Sequence, residues 1–151
     1  MRRALELAVR AEADGEVPVG ALVVLGGEVI GEGRNRPIAA CDPTSHAEME
    51  ALRQAAGQMC NYRLPGSTLY ATLEPCVMCA GAIVIARVAR LVFATRDLRF
   101  GAVRSKFGLA DSDLLNHRVQ IEEGLLSVEA GELLSRFFDS KRSKANTDIQ
   151  K

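Results

Sequence analysis

Apolar residues recur along this chain with two periods, and the alternation between them outlines the fold. Ala4, Leu5, Ala8 and Val9 follow helical spacing, so a first helix is predicted to end near Asp14-Gly15. "VGALVVL" reads as a strand, and Gly26-Gly27 supplies a two-residue turn into a second strand, "EVIGEGRN". In "CDPTS", Asp42 is suited to capping and Pro43 to a first helical turn, so a helix is expected to begin there. Leu52, Ala55, Ala56 and Met59 form its apolar face.

"STLYATL" is the third predicted strand, and "CVMCAGAIVIARVA" the helix after it. That helix is apolar nearly all round from Val77 to Ala86, which predicts burial on every side. "RLVFAT" follows as a fourth strand, and strand–helix–strand in this rhythm implies a right-handed parallel crossover. Residues 96–117 lack periodicity and make a long loop of the kind that often carries function. "RVQIEEG" is a short fifth strand, and Ala130, Leu133, Leu134, Phe137 and Phe138 line a last helix. There is no internal repeat and no linker. The expectation is one three-layer α/β/α domain with a mixed five-stranded sheet over residues 1–142, and a polar, frayed tail over 143–151.

Composition agrees with a globular domain of 151 residues, 48% hydrophobic and 25% charged. No run of about 18 apolar residues suggests a membrane span. The amphipathic start "MRRALELAVRAEADGE" is unlike a signal peptide, so a cytoplasmic setting with reduced thiols is expected. The 19 basic and 19 acidic residues cancel, but not evenly along the chain. Arg87, Arg90, Arg96, Arg99, Arg104 and Lys106 stand in one stretch against Asp97 alone. Such a stripe suits a polyanion, although on charge alone a solvated face accounts for it better.

The chemistry concentrates at Cys76 and Cys79. Spaced i and i+3 at a helix start, both sulfurs can meet one ion, and the helix dipole favours their thiolates. Zinc suits sulfur and imidazole ligands. A redox pair on a strand-to-helix turn is the rival reading. Further ligands are scarce: the chain has only His46, His117, Cys41 and Cys60 to add. Cys41 and Cys60 are expected to be small buried fillers, and His117 to be structural. His46 lies in "SHAEME". Two cysteines and one histidine leave a position for water, as in catalytic zinc sites. Two thiolates also blunt the ion's acidity, so a nearby carboxylate must move the proton. Spacing leaves Glu48, Glu50 and Glu74 all open for that task.

"His46-Ala47-Glu48" with "Pro75-Cys76-Val77-Met78-Cys79" resembles the zinc-dependent nucleoside deaminase superfamily. "EVPVGA", "GEGRNRP", "DPTSHAE", "LYATLEPCVMCAGA", "TRD…GA" and "NHRV" occur in the order found in the bacterial tRNA-specific adenosine deaminases. The resemblance spans Met1 to about Arg142. It implies a cytidine-deaminase-like fold with one zinc per subunit, held by His46, Cys76 and Cys79, and Glu48 as proton shuttle. It implies hydrolysis of adenosine to inosine at the wobble position of a tRNA anticodon stem-loop. It further implies that Asn35 hydrogen-bonds the flipped nucleotide, that the Ala47 backbone reads the purine edge, and that Asp97 lies beside the substrate backbone. The family is homodimeric. A deaminase of free guanine, cytosine or cytidine is the alternative, since it shares the metal motif without needing the basic stripe. Two features depart from the pattern: the chain begins inside the usual first helix, and Asp139 stands after Phe137-Phe138 where a basic residue is common.

Overall fold

A computed structural model describes residues 1–148, with side chains through Ser143. Five strands form one mixed sheet in the order β2-β1-β3-β4-β5. They are β1 (Gly20–Leu25), β2 (Glu28–Arg34), β3 (Thr68–Leu73), β4 (Arg90–Thr95) and β5 (Gln120–Glu123). β1 pairs antiparallel with both β2 and β3, whereas β3, β4 and β5 run parallel. Gly26 and Gly27 both have positive φ, 59° and 84°, which makes the tight β1–β2 hairpin possible.

Side chains alternate along β1 and so divide the core between two faces. Leu22 meets Ala4 and Leu7 of α1 (Arg2–Ala13) on one side. Ala21 and Val23 join the main core on the other, with Ala51 and Ala55 of α3 (Ala47–Met59) and Ala80 and Ile83 of α4 (Val77–Ile85). The last helix, α5 (Ser127–Asp148), packs beside α1 and against β3 and β4, completing three layers. Its backbone is helical beyond residue 142, and residues 149–151 of the expected polar tail lie outside the described residues. Among the described residues no helix is long and apolar enough to cross a membrane.

β2 and α3 approach unusually closely. A Cβ on Gly33 would lie 2.0 Å from the Ala47 carbonyl oxygen and 2.6 Å from the Ala51 nitrogen, so only glycine fits there. This contact seats the first turn of α3 directly on the sheet.

Three expectations are corrected. α3 does not begin at "CDPTS". The Asp42 carboxylate accepts hydrogen bonds from the Thr44 N–H and hydroxyl, 2.7 Å each, closing a local turn, and the helix starts at Ala47. Before it lies a four-residue helix, α2 (Pro37–Ala40), which the periodicity did not suggest. Cys41 and Cys60 are exposed, not buried: each sits past a helix end in left-handed conformation, φ 50° and 47°. Finally, α4 is not buried all round. Cys79, Ala80, Ile83 and Val84 face the core, but Val77 and Ile85 are 52% and 68% exposed. α4 turns one side to the core that it shares with the sheet and α3, and its other side carries Val77 and Ile85.

Candidate metal centre and catalytic carboxylate

The chain reverses twice so that two helices begin at the same point. His46 is the residue preceding α3, and Cys76 the residue preceding α4; neither side chain caps its own helix. Instead they turn toward each other. His46 Nδ1 lies 3.7 Å from Cys76 Sγ and 3.6 Å from Cys79 Sγ, and the three ligand atoms fall within 4.8 Å of one another. Zinc–sulfur and zinc–nitrogen bonds of about 2.3 and 2.0 Å in a tetrahedron give a nitrogen–sulfur edge of about 3.5 Å. The donor set and its spacing thus fit zinc. Among the described residues this group contains no fourth side-chain ligand.

Electrostatics mark the same cluster. Hydrogen bonding from Cys79 and His46, working against burial, lowers the Cys76 thiol to about 4. Cys79, donating to that thiolate and fully buried, is pushed up instead. His46 is raised, mainly by its bond to Cys76. The positive ends of α3 and α4 converge here and add to the stabilisation of negative charge.

Of the three glutamates that spacing left open, only Glu48 belongs to the cluster. Its buried carboxyl is raised to about 7, by burial first and then by the Cys76 thiolate, and it interacts with Cys79. Glu50 is turned outward to Ser45 and Arg53, 2.9 and 3.0 Å away. Glu74 is buried but committed elsewhere. Its carboxylate accepts the N–H groups of Asp97, Val103, Arg104 and Ser105 and the Ser105 hydroxyl. Burial alone would raise Glu74, yet these bonds hold it below the ordinary carboxylate range.

Asn35, at the end of β2, is almost wholly buried. Its Oδ1 accepts the Ala47 N–H at 3.0 Å. This bond supplies from a strand the cap that His46 does not supply to α3, and it orients the amide, leaving Nδ2 as the donor group. Ala47 itself is fully buried with its N–H engaged. Asp97 Oδ1 accepts the N–H groups of Arg99 and Phe100, at 2.9 and 3.1 Å, and so caps its own turn.

Much of the basic stripe is neutralised locally. Arg90 pairs with Glu122, Arg96 with Glu123 and Arg104 with Asp111, and Arg87 bonds the Asn116 carbonyl. Arg99 and Lys106 have no carboxylate partner among the described residues. His117 is structural, its Nε2 donating to the Val88 carbonyl at 2.7 Å. Phe137 is core, whereas Phe138 is 42% exposed. The Glu74 network was the element that sequence reading missed: its partners lie 23 to 31 residues away, and no local pattern announces them.

The chain is similar to known deaminases along most of its length. The profile of the family described as "Cytidine and deoxycytidylate deaminase zinc-binding region" matches residues 1–95. A tRNA-specific adenosine deaminase of Haemophilus influenzae is 50% identical over 145 residues, covering 95% of this chain and 84% of the relative. A solved structure from a study of A-to-I editing by tRNA:A34 deaminases superposes with a TM-score of 0.86 at 41% identity, covering 89% of this chain and 97% of that one. A guanine deaminase from Nitrosomonas europaea is more distant, with a TM-score of 0.77 at 27% identity, covering 90% of this chain and 81% of that one.

Proposed function

Since this chain belongs to the cytidine and deoxycytidylate deaminase family, we propose that it hydrolyses adenosine to inosine at the wobble position of a tRNA anticodon. The observation that carries this reading is the triangle of His46, Cys76 and Cys79 with a buried, readily protonated Glu48 beside it. His46, Cys76 and Cys79 would hold a zinc ion, which when bound would supply Lewis-acid activation of a water molecule.

The protein's own groups do the rest. Glu48, its carboxyl raised to about 7, carries one proton from the attacking water to the purine ring nitrogen, where inosine keeps it, and the second, from the new C6 hydroxyl, to the departing amine. Water adds at C6 and ammonia leaves, so the reaction balances as adenosine plus water giving inosine plus ammonia. Asn35 offers its Nδ2 to an acceptor on the nucleotide, and the Ala47 backbone beside it, its N–H shared with Asn35 Oδ1, reads the purine edge. Asp97 shapes the turn beside the substrate backbone. An anticodon base is already unpaired, which lowers the cost of extruding it into such a pocket.

We further propose a cytoplasmic homodimer. The C-terminal half of α4 and the segment 114–116 form an apolar groove of about 420 Å³, lined by Gly81, Val84, Ile85, Leu114, Leu115 and Asn116. Leu114 is 91% exposed in the single chain, which favours cover by a second copy.

The test is ammonia release from a synthetic anticodon stem-loop, set against free adenosine, cytidine and guanine. The stem-loop should react, and Glu48→Gln should abolish turnover while one zinc per chain remains. Reaction of free guanine alone would transfer the assignment to the guanine deaminases, the second reading that the Nitrosomonas europaea structure supports.

A further inference from the structure

The buried carboxylate of Glu74 lies outside the reaction just described, yet it is one of the most heavily engaged groups in the protein. Five donors converge on it, all from the segment 97–105. Oε2 accepts the Asp97 N–H at 3.0 Å and the Ser105 hydroxyl; Oε1 accepts the N–H groups of Val103, Arg104 and Ser105 at 3.1, 2.6 and 2.8 Å. The segment also reaches the metal corner. Gly101 bridges to Cys76, and the Ala102 N–H donates to the Pro75 carbonyl at 2.9 Å. Gly101 passes so close that a Cβ there would lie 2.3 Å from Glu74 Oε2 and 2.5 Å from the Asp97 carbonyl oxygen.

A loop wrapped around a carboxylate in this way is held at both ends and the middle. Its outer surface is unlike an ordinary solvated turn. Leu98 and Phe100 are 72% and 67% exposed, and the Arg99 guanidinium lies 5.9 Å from the Phe100 ring centre. An exposed aromatic ring with an adjoining unneutralised cation is what an unpaired nucleotide stacks on and what its phosphate seeks. Asp97 tightens the same turn from within through its bonds to the Arg99 and Phe100 N–H groups.

We propose that Glu74 is a positioning residue: its carboxylate gathers residues 97–105 into a rigid platform beside Cys76, which sets Arg99 and Phe100 to receive the nucleotides flanking the target base. This rests on the RNA substrate proposed above. Charge is essential to the role, because five donors need an acceptor with two anionic oxygens. Glutamine retains one acceptor oxygen and presents an NH₂ group to the other donors.

Glu74→Gln is therefore expected to raise KM for the anticodon stem-loop by about tenfold or more while kcat stays within about threefold. Zinc content should remain one per chain. Hydrogen exchange at the Val103, Arg104 and Ser105 amides should quicken. Gly101→Ala leaves the carboxylate in place but drives the loop off it, and should raise KM in the same way even if Glu74→Gln proves insoluble. Unchanged KM in a zinc-loaded, folded variant overturns the inference, as does a fall confined to kcat. Loss of zinc with loss of activity also overturns it, assigning Glu74 to support of the Cys76 turn. A wild-type protein inactive on the stem-loop but active on a free base instead brings down the proposed substrate, and the platform with it.

Discussion

Asn35 joins stability and activity through two different atoms, so two substitutions should separate them. In Asn35→Ala the Ala47 N–H loses its acceptor inside a fully buried residue at the first turn of α3. An unsatisfied buried donor costs about 1–3 kcal/mol. For a chain of this size each kcal/mol lowers Tm by about 2–4 °C, so a loss of about 2–12 °C is expected. The first turn of α3 also carries Glu48 and adjoins His46, so zinc affinity should fall with it. Asn35→Asp keeps an acceptor for the Ala47 N–H, and the dipole of α3 favours the added charge. It should retain most of the stability, yet it has no Nδ2 to offer the nucleotide. A lost donor to substrate should lower kcat/KM by about tenfold or more. Thermal unfolding of zinc-loaded proteins, with kinetics on the stem-loop, makes the comparison. If Asn35→Ala melts with the wild type, or Asn35→Asp is as unstable as Asn35→Ala, the capping role assigned to Oδ1 is wrong.

Two further outcomes are expected. Glu48 has a folded-state value of about 7 against an ordinary 4.5. A carboxyl raised by folding contributes its stability below the unfolded value and loses it as pH climbs through the folded one. Metal-free wild type should thus lose up to about 3 kcal/mol relative to Glu48→Gln between pH 4 and pH 8, read by urea unfolding; a difference that is flat with pH refutes the burial argument. On the RNA side, Arg99 is unneutralised whereas Arg90 is paired with Glu122. Arg99→Ala should reduce the slope of log binding constant against log salt for the stem-loop by about one, and Arg90→Ala should leave it nearly unchanged. Equal effects from the two would show that the local pairing does not matter to RNA.

Apart from the four-residue α2, the order of helices and strands could be read from the chain because periods of 3.6 and 2 are local properties of neighbouring residues. The parallel crossover from β3 through α4 to β4 followed from the same rhythm. The candidate metal ligands were legible for a different reason: Cys76 and Cys79 stand three residues apart at a helix start, and the short His46-Ala47-Glu48 motif with Pro75-Cys76-Val77-Met78-Cys79 carries the family resemblance. Where local signals compete, sequence reading went astray. Asp42 and Pro43 are as good a turn as a helix start, and the Thr44 bonds decided for the turn. Cys41 and Cys60 look like core fillers by residue type, but their places just past helix ends put them in solvent.

What only the tertiary structure decided concerns groups distant along the chain. Spacing could not choose among three glutamates; packing buried Glu48 with the ligands, turned Glu50 outward and wrapped Glu74 in a loop. A run of six cations read as a charged stripe until the parallel pairing of β4 with β5 carried Glu122 and Glu123 to Arg90 and Arg96. Sheet register and the close seating of α3 on Gly33 set such meetings. They arise from burying two faces of one sheet at once, a condition that belongs to the whole chain and to no segment of it.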